Sequence, residues 1–320
     1  MKAANAAIQD GRRSVVLLYE NEAWNLGLAE ALRERGLCVR CVDLRSHAFD
    51  LQGRFEGAVY FNRLSPSAAL RGNDDALDLG RVLVRKLELD GHRVVNGTEA
   101  FDHELDKLRQ YLLLSRLGLA VPRTLALSAG AREVDLSTLP FPAILKPNTG
   151  GSGSGVTVVN SPAEALAGVE AAGRSDGSWL LQERIVPADG RVLRLELIGG
   201  RLVYAMRVRA VNTFNLCPAE ACERPPANAA DATAPRAVFE HEPDPDPALV
   251  HAARDVLSAI GLEVGGVEIL VEASGRAVFL DVNATSVYRD DVAAAAGVDP
   301  YAMLANHLVP ATTSAATAVA

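Results

Sequence analysis

The first hundred residues alternate short apolar runs with one amphipathic segment. Residues 15–19 are an apolar run, residues 22–35 repeat apolar side chains at helical spacing, and apolar runs return at 38–44 and 57–61. This order of strand, helix, strand and strand predicts a small doubly wound α/β unit over residues 1–100. No G-x-G-x-x-G turn follows the first strand, so the pattern does not predict a dinucleotide site.

The middle of the chain begins with a long helical pattern and continues with strands. Leucines at core spacing predict one helix over 102–117, and Ser161-Pro162-x-Glu164 is typical of a capped helix start. Strands are predicted at 141–146, 155–160 and 178–184. Residues 101–185 therefore form a predicted linker helix followed by an α+β lid subdomain.

The last part of the chain predicts a second α+β subdomain over 186–310 and a disordered tail over 311–320. Its predicted elements are strands at 192–198 and 201–210, a helix from Asp246 to Ile260, and a hairpin of 266–272 with 276–283. The stretch 218–245 is rich in proline and alanine and shows no periodicity, which predicts a long loop.

A glycine-rich segment lies between two predicted strands. Lys146 ends the first strand, and Gly150-Gly151-Ser152-Gly153-Ser154-Gly155 follows it. Consecutive glycines let backbone N–H groups turn toward a phosphate. On composition alone, a flexible linker is an equal alternative. The loop opens no helix and lacks the Gly-Lys-Ser/Thr of a Walker loop, so the pattern favours a hairpin that covers phosphates.

The hairpin near the end of the chain predicts a metal site. With Ser274-Gly275 as a two-residue turn, Val271 pairs with Val278, Ile269 with Leu280 and Val267 with Val282 on one apolar face. On the other face Glu268 lies opposite Asp281, with Asn283 two residues further. Facing Cβ atoms would be ~5 Å apart, a spacing at which like charges destabilise a sheet unless a hard cation lies between them.

Charge and composition narrow the class of partner. The net charge is −8, and no run of Lys and Arg forms a basic face, which argues against nucleic acid and membrane surfaces. The first fourteen residues contain no apolar segment typical of a signal peptide, and no segment is apolar enough to span a bilayer. We expect a cytoplasmic protein that acts on small molecules or peptides.

These signals together resemble the ATP-grasp superfamily, and within it the branch of ribosomal-protein glutamate ligases and glutathione synthetases (RimK-like). The resemblance covers nearly the whole chain. It rests on an ordered set of residues and motifs: Asn62-Arg63, Asp106-Lys107-Leu108, Lys146, the Gly150–Gly155 loop, Gln182-Glu183-Arg184-Ile185, Arg194, Glu268, Asp281 and Asn283. It implies an ATP-grasp fold, in which the small doubly wound N-terminal unit is followed along the chain by two α+β subdomains that clasp ATP.

The resemblance also implies roles for these residues. Lys107, Lys146 and the glycine loop would contact the ATP phosphates, and Glu183, Arg184, Ile185 and Gln182 would form the adenine hinge. Glu268, Asp281 and Asn283 would bind one or two Mg²⁺ ions, with Mn²⁺ as an alternative. Catalysis would rest on Lys146, Arg194 and Arg209, and the substrate on Arg63, Arg194, Arg209 and Asn215.

The sequence also departs from the pattern of that branch. An acidic ribose contact usually follows the hinge; here Asp189 is the candidate, although the alignment places Val192 at that position. Ala284 to Tyr288 replaces a run of small residues and a glycine, and Thr213 to Pro218 replaces more basic residues. These differences bear on the substrate more than on ATP.

The predicted activity is that of an ATP-dependent carboxylate–amine ligase that forms an amide or peptide bond through an acyl-phosphate and releases ADP and phosphate. Two alternatives stay open at this point: a nucleotide-binding regulatory protein without turnover, and a phosphotransferase that stops at a phosphorylated product. Neither the substrates nor the base for the amine follows from the residues, and a homodimer or a homotetramer remains open as the oligomeric state.

Overall fold

We analysed a computed structural model of the chain, which describes residues 14–55, 59–131, 134–172, 177–210 and 237–309. Its strands form three sheets of four, four and five strands. These sheets lie within 1–100, 101–185 and 186–310 respectively, the three segments predicted above. The exact domain boundaries stay a prediction.

The N-terminal sheet is parallel, in the order β2-β1-β3-β4. Its strands are β1 (Ser14–Tyr19), β2 (Cys38–Asp43), β3 (Val59–Asn62) and β4 (Arg93–Val95), and its helices are α1 (Leu26–Glu34) and α2 (Asp74–Leu89). Short 3-10 helices lie at Glu22–Trp24, Leu44–Ser46 and Pro66–Arg71. Parallel pairing of β1 with both β2 and β3 confirms the predicted strand–helix–strand opening.

The single helix predicted over 102–117 is wrong. The structure has two helices, α3 (Thr98–Leu105) and α4 (Lys107–Arg116), with a break at Asp106. Asp106 has extended backbone, and its side chain accepts a hydrogen bond from the Arg109 amide, so it caps α4. The break places Lys107 at the first position of a new helix.

The second sheet is antiparallel, in the order β5-β8-β6-β7. Its strands are β5 (Thr124–Ser128), β6 (Ala143–Pro147), β7 (Thr157–Val159) and β8 (Ser178–Glu183), and α5 (Pro162–Ala172) covers it. The predicted capping box is confirmed, because the Ser161 hydroxyl accepts from the Glu164 amide at 3.2 Å and Glu164 accepts from the Asn160 amide at 2.9 Å. The glycine loop connects β6 to β7.

The third sheet is antiparallel, in the order β11-β10-β9-β12-β13. Its strands are β9 (Val192–Ile198), β10 (Arg201–Ala210), β11 (Ala237–Glu242), β12 (Val264–Val271) and β13 (Ala277–Asn283). Helix α6 (Pro247–Ala259) lies between β11 and β12 in the chain and packs along one face of this sheet. The predicted loop over 218–245 is wrong for β11, whose six residues pair with β10. The rest of that stretch up to residue 236 lies outside the described residues.

Half of the residue pairs predicted for the last hairpin are present in the structure. Glu272 and Arg276 close a three-residue loop instead of a two-residue one. Ile269 therefore pairs with Phe279 and Leu270 with Val278, so the predicted partners of Val271 and Ile269 are wrong. A bulge at Leu280 then restores the predicted pairs Glu268–Asp281 and Val267–Val282. Bulges of this kind are common beside active sites, where they redirect a side chain.

Two C-terminal helices join the N-terminal unit to the third sheet. α7 (Asp290–Ala296) and α8 (Pro300–Leu308) pack between the N-terminal sheet and the third sheet. One core cluster contains Leu17 and Leu28 from the first unit, Met206 from β10 and Leu304 from α8. In the described part of the chain, no helix combines the length and the apolar character needed to cross a bilayer.

Candidate active site

A cavity of about 400 Å³ lies between the second and third sheets. This volume is typical of small-molecule sites. The cavity collects most of the residues predicted to bind ATP: Lys107, Lys146, Gly150 to Ser154, and Gln182 to Ile185. Ile144, Val156, Leu270 and Leu280 give it apolar walls. We call it the larger cavity.

Lys146 is held in this cavity by Tyr111 of α4. Its side chain is buried, its Nζ lies 2.8 Å from the Tyr111 hydroxyl, and the same Nζ is 5.2 Å from the centre of the tyrosine ring. The hydroxyl donates in turn to the carbonyl of Leu280, the bulge residue, at 2.7 Å. Burial lowers the pKa of Lys146, while Asp281 and Glu268 act in the opposite direction. The ammonium group of Lys146 is thus held in place before any ligand binds.

Lys107 joins the start of α4 to the glycine loop. Its Nζ donates to the Gly150 carbonyl at 2.5 Å, and the next backbone amide, of Leu108, donates to the Asn148 side chain at 2.9 Å. On the other side of the loop, a Cβ on Gly151 would be 3.2 Å from the Ser67 amide nitrogen. Only glycine allows the loop to approach the Pro66–Arg71 helix so closely.

The predicted hinge lies along the cavity wall, but its side chains have structural partners. Gln182 is buried and donates to the Thr124 hydroxyl at 2.7 Å. Glu183 accepts from the Arg123 amide at 3.0 Å and donates its own amide to the Arg123 carbonyl at 2.9 Å. Arg184 and Ile185 are the hinge residues that follow this pairing and also line the cavity.

Asp189 is not among the residues of the cavity wall. Its carboxylate accepts from the Arg191 amide at 3.0 Å and lies 3.7 Å from the Arg207 guanidinium. Gly190 and Val192 line the cavity instead. Val192, and not Asp189, therefore lines this cavity, and Asp189 as a ribose contact stays a prediction.

The two acids of the hairpin lie on one rung and have different surroundings. Glu268 is 5% exposed and accepts from Arg194 Nη1 at 2.8 Å. Asn283 Nδ2 is 3.4 Å from the same oxygen. Burial, reinforced by Asp281, raises the pKa of Glu268 to about 7, although Arg194 acts in the opposite direction. Burial and the charge of Asp281 thus disfavour the ionised form of Glu268, a charge that a bound cation would offset.

Two carboxylates and an amide suit a hard divalent cation, which would supply the missing charge. Among the described residues, no cluster of three or more His, Cys, Asp or Glu side chains forms an alternative metal site. The oxygen donors of Glu268, Asp281 and Asn283 suit Mg²⁺, and their assignment as its ligands stays a prediction.

Arg194 is part of a buried chain of polar groups. Its Nε donates to Glu196 at 2.6 Å, and the Ser286 hydroxyl donates to the other Glu196 oxygen at 2.5 Å. Arg63 Nη1 then donates to the Ser286 carbonyl at 2.7 Å. A Cβ on Gly266 would be 3.0 Å from both Arg194 and Glu196, so a side chain at this strand position would crowd the pair. The chain connects the N-terminal unit to Glu268.

The structure does not bring the three predicted substrate arginines together. Arg63 is buried behind the site, on Ser286 and on Asn25 Oδ1 at 3.3 Å, and burial lowers its pKa. In the β9–β10 register Arg194 pairs with Met206, and side chains alternate along a strand, so Arg209 lies on the opposite face of the sheet and is exposed. The predicted convergence of the three is therefore wrong. Asn215 lies outside the described residues.

A second, smaller cavity of about 100 Å³ adjoins the first. The two cavities share a wall made of Lys107, Gly150 to Gly153, Glu268 and Asp281. The smaller cavity is otherwise lined by Trp24, Ser65, Pro66, Glu104, Arg194, Val282, Asn283, Thr285 and Val287. Within the described residues the buried Nε1 of Trp24 has no hydrogen-bond partner.

Several residues of the site were not predicted from the sequence. Tyr111 was assigned to the core, and Trp24 and Glu104 gave no signal, because their contacts come from segments far apart in the chain. Glu196 could have been found. It stands two residues from Arg194 in an otherwise apolar strand, and that spacing puts opposite charges on one face.

The architecture and the site define an ATP-grasp protein, and solved structures show the same fold. A RimK-domain ATP-grasp protein from Sphaerobacter thermophilus DSM 20745 matches with a TM-score of 0.66 at 20% identity, over 93% of this chain and 99% of that one. The ATP-grasp ligase PsnB, solved with a minimal precursor, Mg and ADP, matches with a TM-score of 0.64 at 20% identity, over 95% and 99%.

Sequence similarity gives the family. No family model matches the chain. The "Probable alpha-L-glutamate ligase" of Xanthomonas oryzae pv. oryzae (strain MAFF 311018) is 30% identical over 293 residues, which are 88% of this chain and 91% of the relative. The chain belongs to this family of RimK-like alpha-L-glutamate ligases. Membership confirms the predicted class, an ATP-dependent carboxylate–amine ligase.

Proposed function

We propose that the enzyme joins L-glutamate, through its α-amine, to the carboxylate of an amino acid or short peptide. The choice of glutamate follows the relative's name, and the peptide option follows PsnB, which was solved with a precursor. The observation that carries the proposal is the wall shared by the two cavities. This wall contains Lys107, Glu268 and Asp281, and it lies between the cavity that we assign to the nucleotide and the cavity that we assign to the small substrates.

In this proposal the larger cavity holds ATP. Lys107, Lys146 and the Gly150–Gly155 loop bind its phosphates, and residues 182–185 bind the adenine edge. Residues 123–185 act as a lid that closes over the nucleotide. Glu268, Asp281 and Asn283 hold one or two Mg²⁺ ions, which would neutralise phosphate charge and so favour phosphoryl transfer. Mn²⁺ could take the same oxygen donors.

The smaller cavity holds the acid and the amine. A carboxylate oxygen attacks the γ-phosphorus across the shared wall, and the bond from that phosphorus to the leaving ADP oxygen breaks. Lys107 and Arg194 orient the reacting oxygens and stabilise the negative charge. The amine then attacks the acyl carbon, the carbon–oxygen bond to phosphate breaks, and the amine loses a proton. The choice of Arg194 is supported by its position in the lining of the smaller cavity.

ADP release from purified protein tests the proposal. The assay contains ATP, Mg²⁺, L-glutamate and a panel of amino acids and short peptides, and mass spectrometry identifies the product. We expect ADP release to require both a carboxylate and an amine, with a product equal in mass to the acid plus glutamate minus water. ADP release that needs the acid alone and yields a stable phosphorylated product would favour a phosphotransferase. No ADP release with any pair would exclude ligase activity.

A further inference from the structure

The smaller cavity contains a third carboxylate, Glu104, to which the proposed chemistry has given no role. Glu104 comes from α3 and is 8% exposed. One of its oxygens, Oε1, accepts from the amides of Ala284 and Thr285, at 3.1 Å each. These amides follow Asn283 directly in the chain, so the carboxylate is fixed beside the shared wall. The Thr285 side chain also hydrogen-bonds to this carboxylate, and Glu104 lines the smaller cavity.

The other titratable groups that line this cavity already have partners or roles. They are Lys107, Arg194, Glu268 and Asp281. Lys107 binds the Gly150 carbonyl, and Arg194 binds Glu196 and Glu268. Glu268 and Asp281 are the proposed ligands of a cation. Among the described residues of the cavity, Glu104 is thus the one carboxylate left for a substrate.

The reaction needs such a group. An α-amine attacks only in its neutral form, and the amine of a free amino acid, which is more basic than the ~8 of a chain terminus, is mostly protonated at neutral pH. Burial raises the pKa of Glu104 to about 8, although the hydrogen bonds from Thr285 and Ala284 and the charge of Arg63 act in the opposite direction. Arg63, from the end of β3, and Lys107, from the start of α4, are the charged groups that face it. A base whose pKa lies near the working pH transfers protons efficiently.

We propose that Glu104 is the general base of the amide-forming step and takes its proton from the attacking amine through Oε2. Oε2 first takes one proton from the ammonium form, which leaves the neutral amine. The nitrogen then attacks, the carbon–nitrogen bond forms, and the carbon–oxygen bond to phosphate breaks with its electron pair leaving on phosphate. The second proton of the nitrogen leaves with the phosphate. The assignment rests on the proposed ligase function. It goes further in naming the group that activates the amine.

The test compares two amines in the variant Glu104→Gln. Glutamine keeps an oxygen that can accept from the two backbone amides but cannot take a proton. The acid is the one that gives the fastest ADP release in the panel above, and the amine is either L-glutamate or hydroxylamine. Hydroxylamine is largely neutral at pH 7, so it traps the acyl-phosphate as a hydroxamate without a base.

We expect Glu104→Gln to lower kcat for amide formation by about 100-fold or more, as loss of a general base does. Hydroxamate formation should stay within about 3-fold of wild type, because the first half-reaction is untouched. The amide rate of the variant should rise with pH as the amine itself deprotonates. Glu99→Gln is the matched control, because Glu99 is on the same helix but exposed and outside the cavity, and it should behave as wild type.

Three results would overturn the assignment. Equal loss of amide and hydroxamate formation would show that Glu104 acts on the first half-reaction or on the structure. Wild-type rates with both amines would show that it does nothing. A raised KM for glutamate with unchanged kcat would make it an ammonium-binding residue instead. The proposed function fails separately, if wild-type protein forms no hydroxamate with any acid of the panel.

Discussion

The two cavities share one wall but are otherwise lined by different kinds of residue. Away from that wall, the larger cavity is lined by apolar side chains such as Ile144 and Leu280 and by the backbone of the hinge. The smaller cavity is lined by buried charges and by the indole of Trp24. An apolar slot gains affinity for a flat ring from buried area. The affinity of a charged pocket depends instead on the position at which each charge is held.

This difference explains why the buried charges of the two cavities are held by different numbers of contacts. In the larger cavity Lys146 needs only Tyr111 to hold it. In the smaller cavity Arg194 needs Glu196, Ser286 and the space at Gly266, because buried charges are destabilising unless each has a partner. We infer that the larger cavity carries the chemistry common to ATP-grasp enzymes. The smaller cavity then sets the choice of substrate.

The largest effect is expected at the shared wall, where a change disables both cavities together. Asp281→Asn and Glu268→Gln each remove an oxygen donor proposed for Mg²⁺, and each should lower ADP release by at least ~100-fold. The measurement is steady-state turnover at saturating Mg²⁺, with thermal unfolding as the control for folding. Turnover near the wild-type rate in either variant would exclude that residue as a metal ligand.

A smaller effect is expected from Arg194→Lys, because Arg194 lines the smaller cavity and reaches the shared wall only through Glu268. Arg194 binds Glu196 and Glu268 with different nitrogens of one planar group, and a lysine has a single nitrogen for both. Misplacement of Glu268 should lower kcat by about 10- to 100-fold with little change in the KM for ATP. Arg209→Lys is the matched control in the neighbouring strand. On the exposed, opposite face it should change kcat by less than about 2-fold.

The reverse result in these two variants would support the catalytic role that the resemblance implies for Arg209. A large loss of kcat in Arg209→Lys, with a near-normal Arg194→Lys, would mean that Arg209 reaches the transferring phosphoryl group in a conformation other than the one described. The sequence alone predicted that role. It could not show which face of β10 the residue occupies relative to Arg194.

The sequence predicted best what is encoded locally. Strands β9 and β10 have the bounds predicted from their apolar pattern, and the Glu268–Asp281 rung was predicted from the hairpin itself. The helix over 102–117 failed because apolar spacing continues across Asp106, where a side-chain cap ends one helix and starts the next. A capping residue inside a periodic pattern is easily read as a surface position.

The parts of the site that were missed depend on contacts between distant segments. Tyr111 reaches Lys146 across 35 residues, and Glu104 reaches Ala284 across 180. No local pattern encodes such contacts. The bulge at Leu280 has the same origin, because its carbonyl is the acceptor of Tyr111, and apolar alternation along β13 alone favours an unbroken register.

The smallest effect we predict concerns stability and follows from the buried acid of the smaller cavity. The pKa of Glu104 is raised from 4.5 to about 8, chiefly by burial, so the folded state binds this proton more tightly than the unfolded state does. Its contribution to stability is therefore complete below pH 4.5 and is lost as the pH rises through 8. Glutamine cannot titrate, so Glu104→Gln removes this loss.

Thermal unfolding without nucleotide or Mg²⁺ should show the difference between pH 5 and pH 8.5. The Tm of the wild type should fall relative to that of Glu104→Gln by a few degrees, since 1 kcal/mol corresponds to roughly 2–4 °C in a protein of this order of size. The pKa of Glu268, raised to about 7, adds a fall of the same sign to both proteins and cancels in the comparison. Parallel curves would mean that Glu104 is already ionised in the folded protein near pH 5. Burial would then have been outweighed by Arg63 and the two backbone amides, and Glu104 would be too weak a base at neutral pH for the role proposed above.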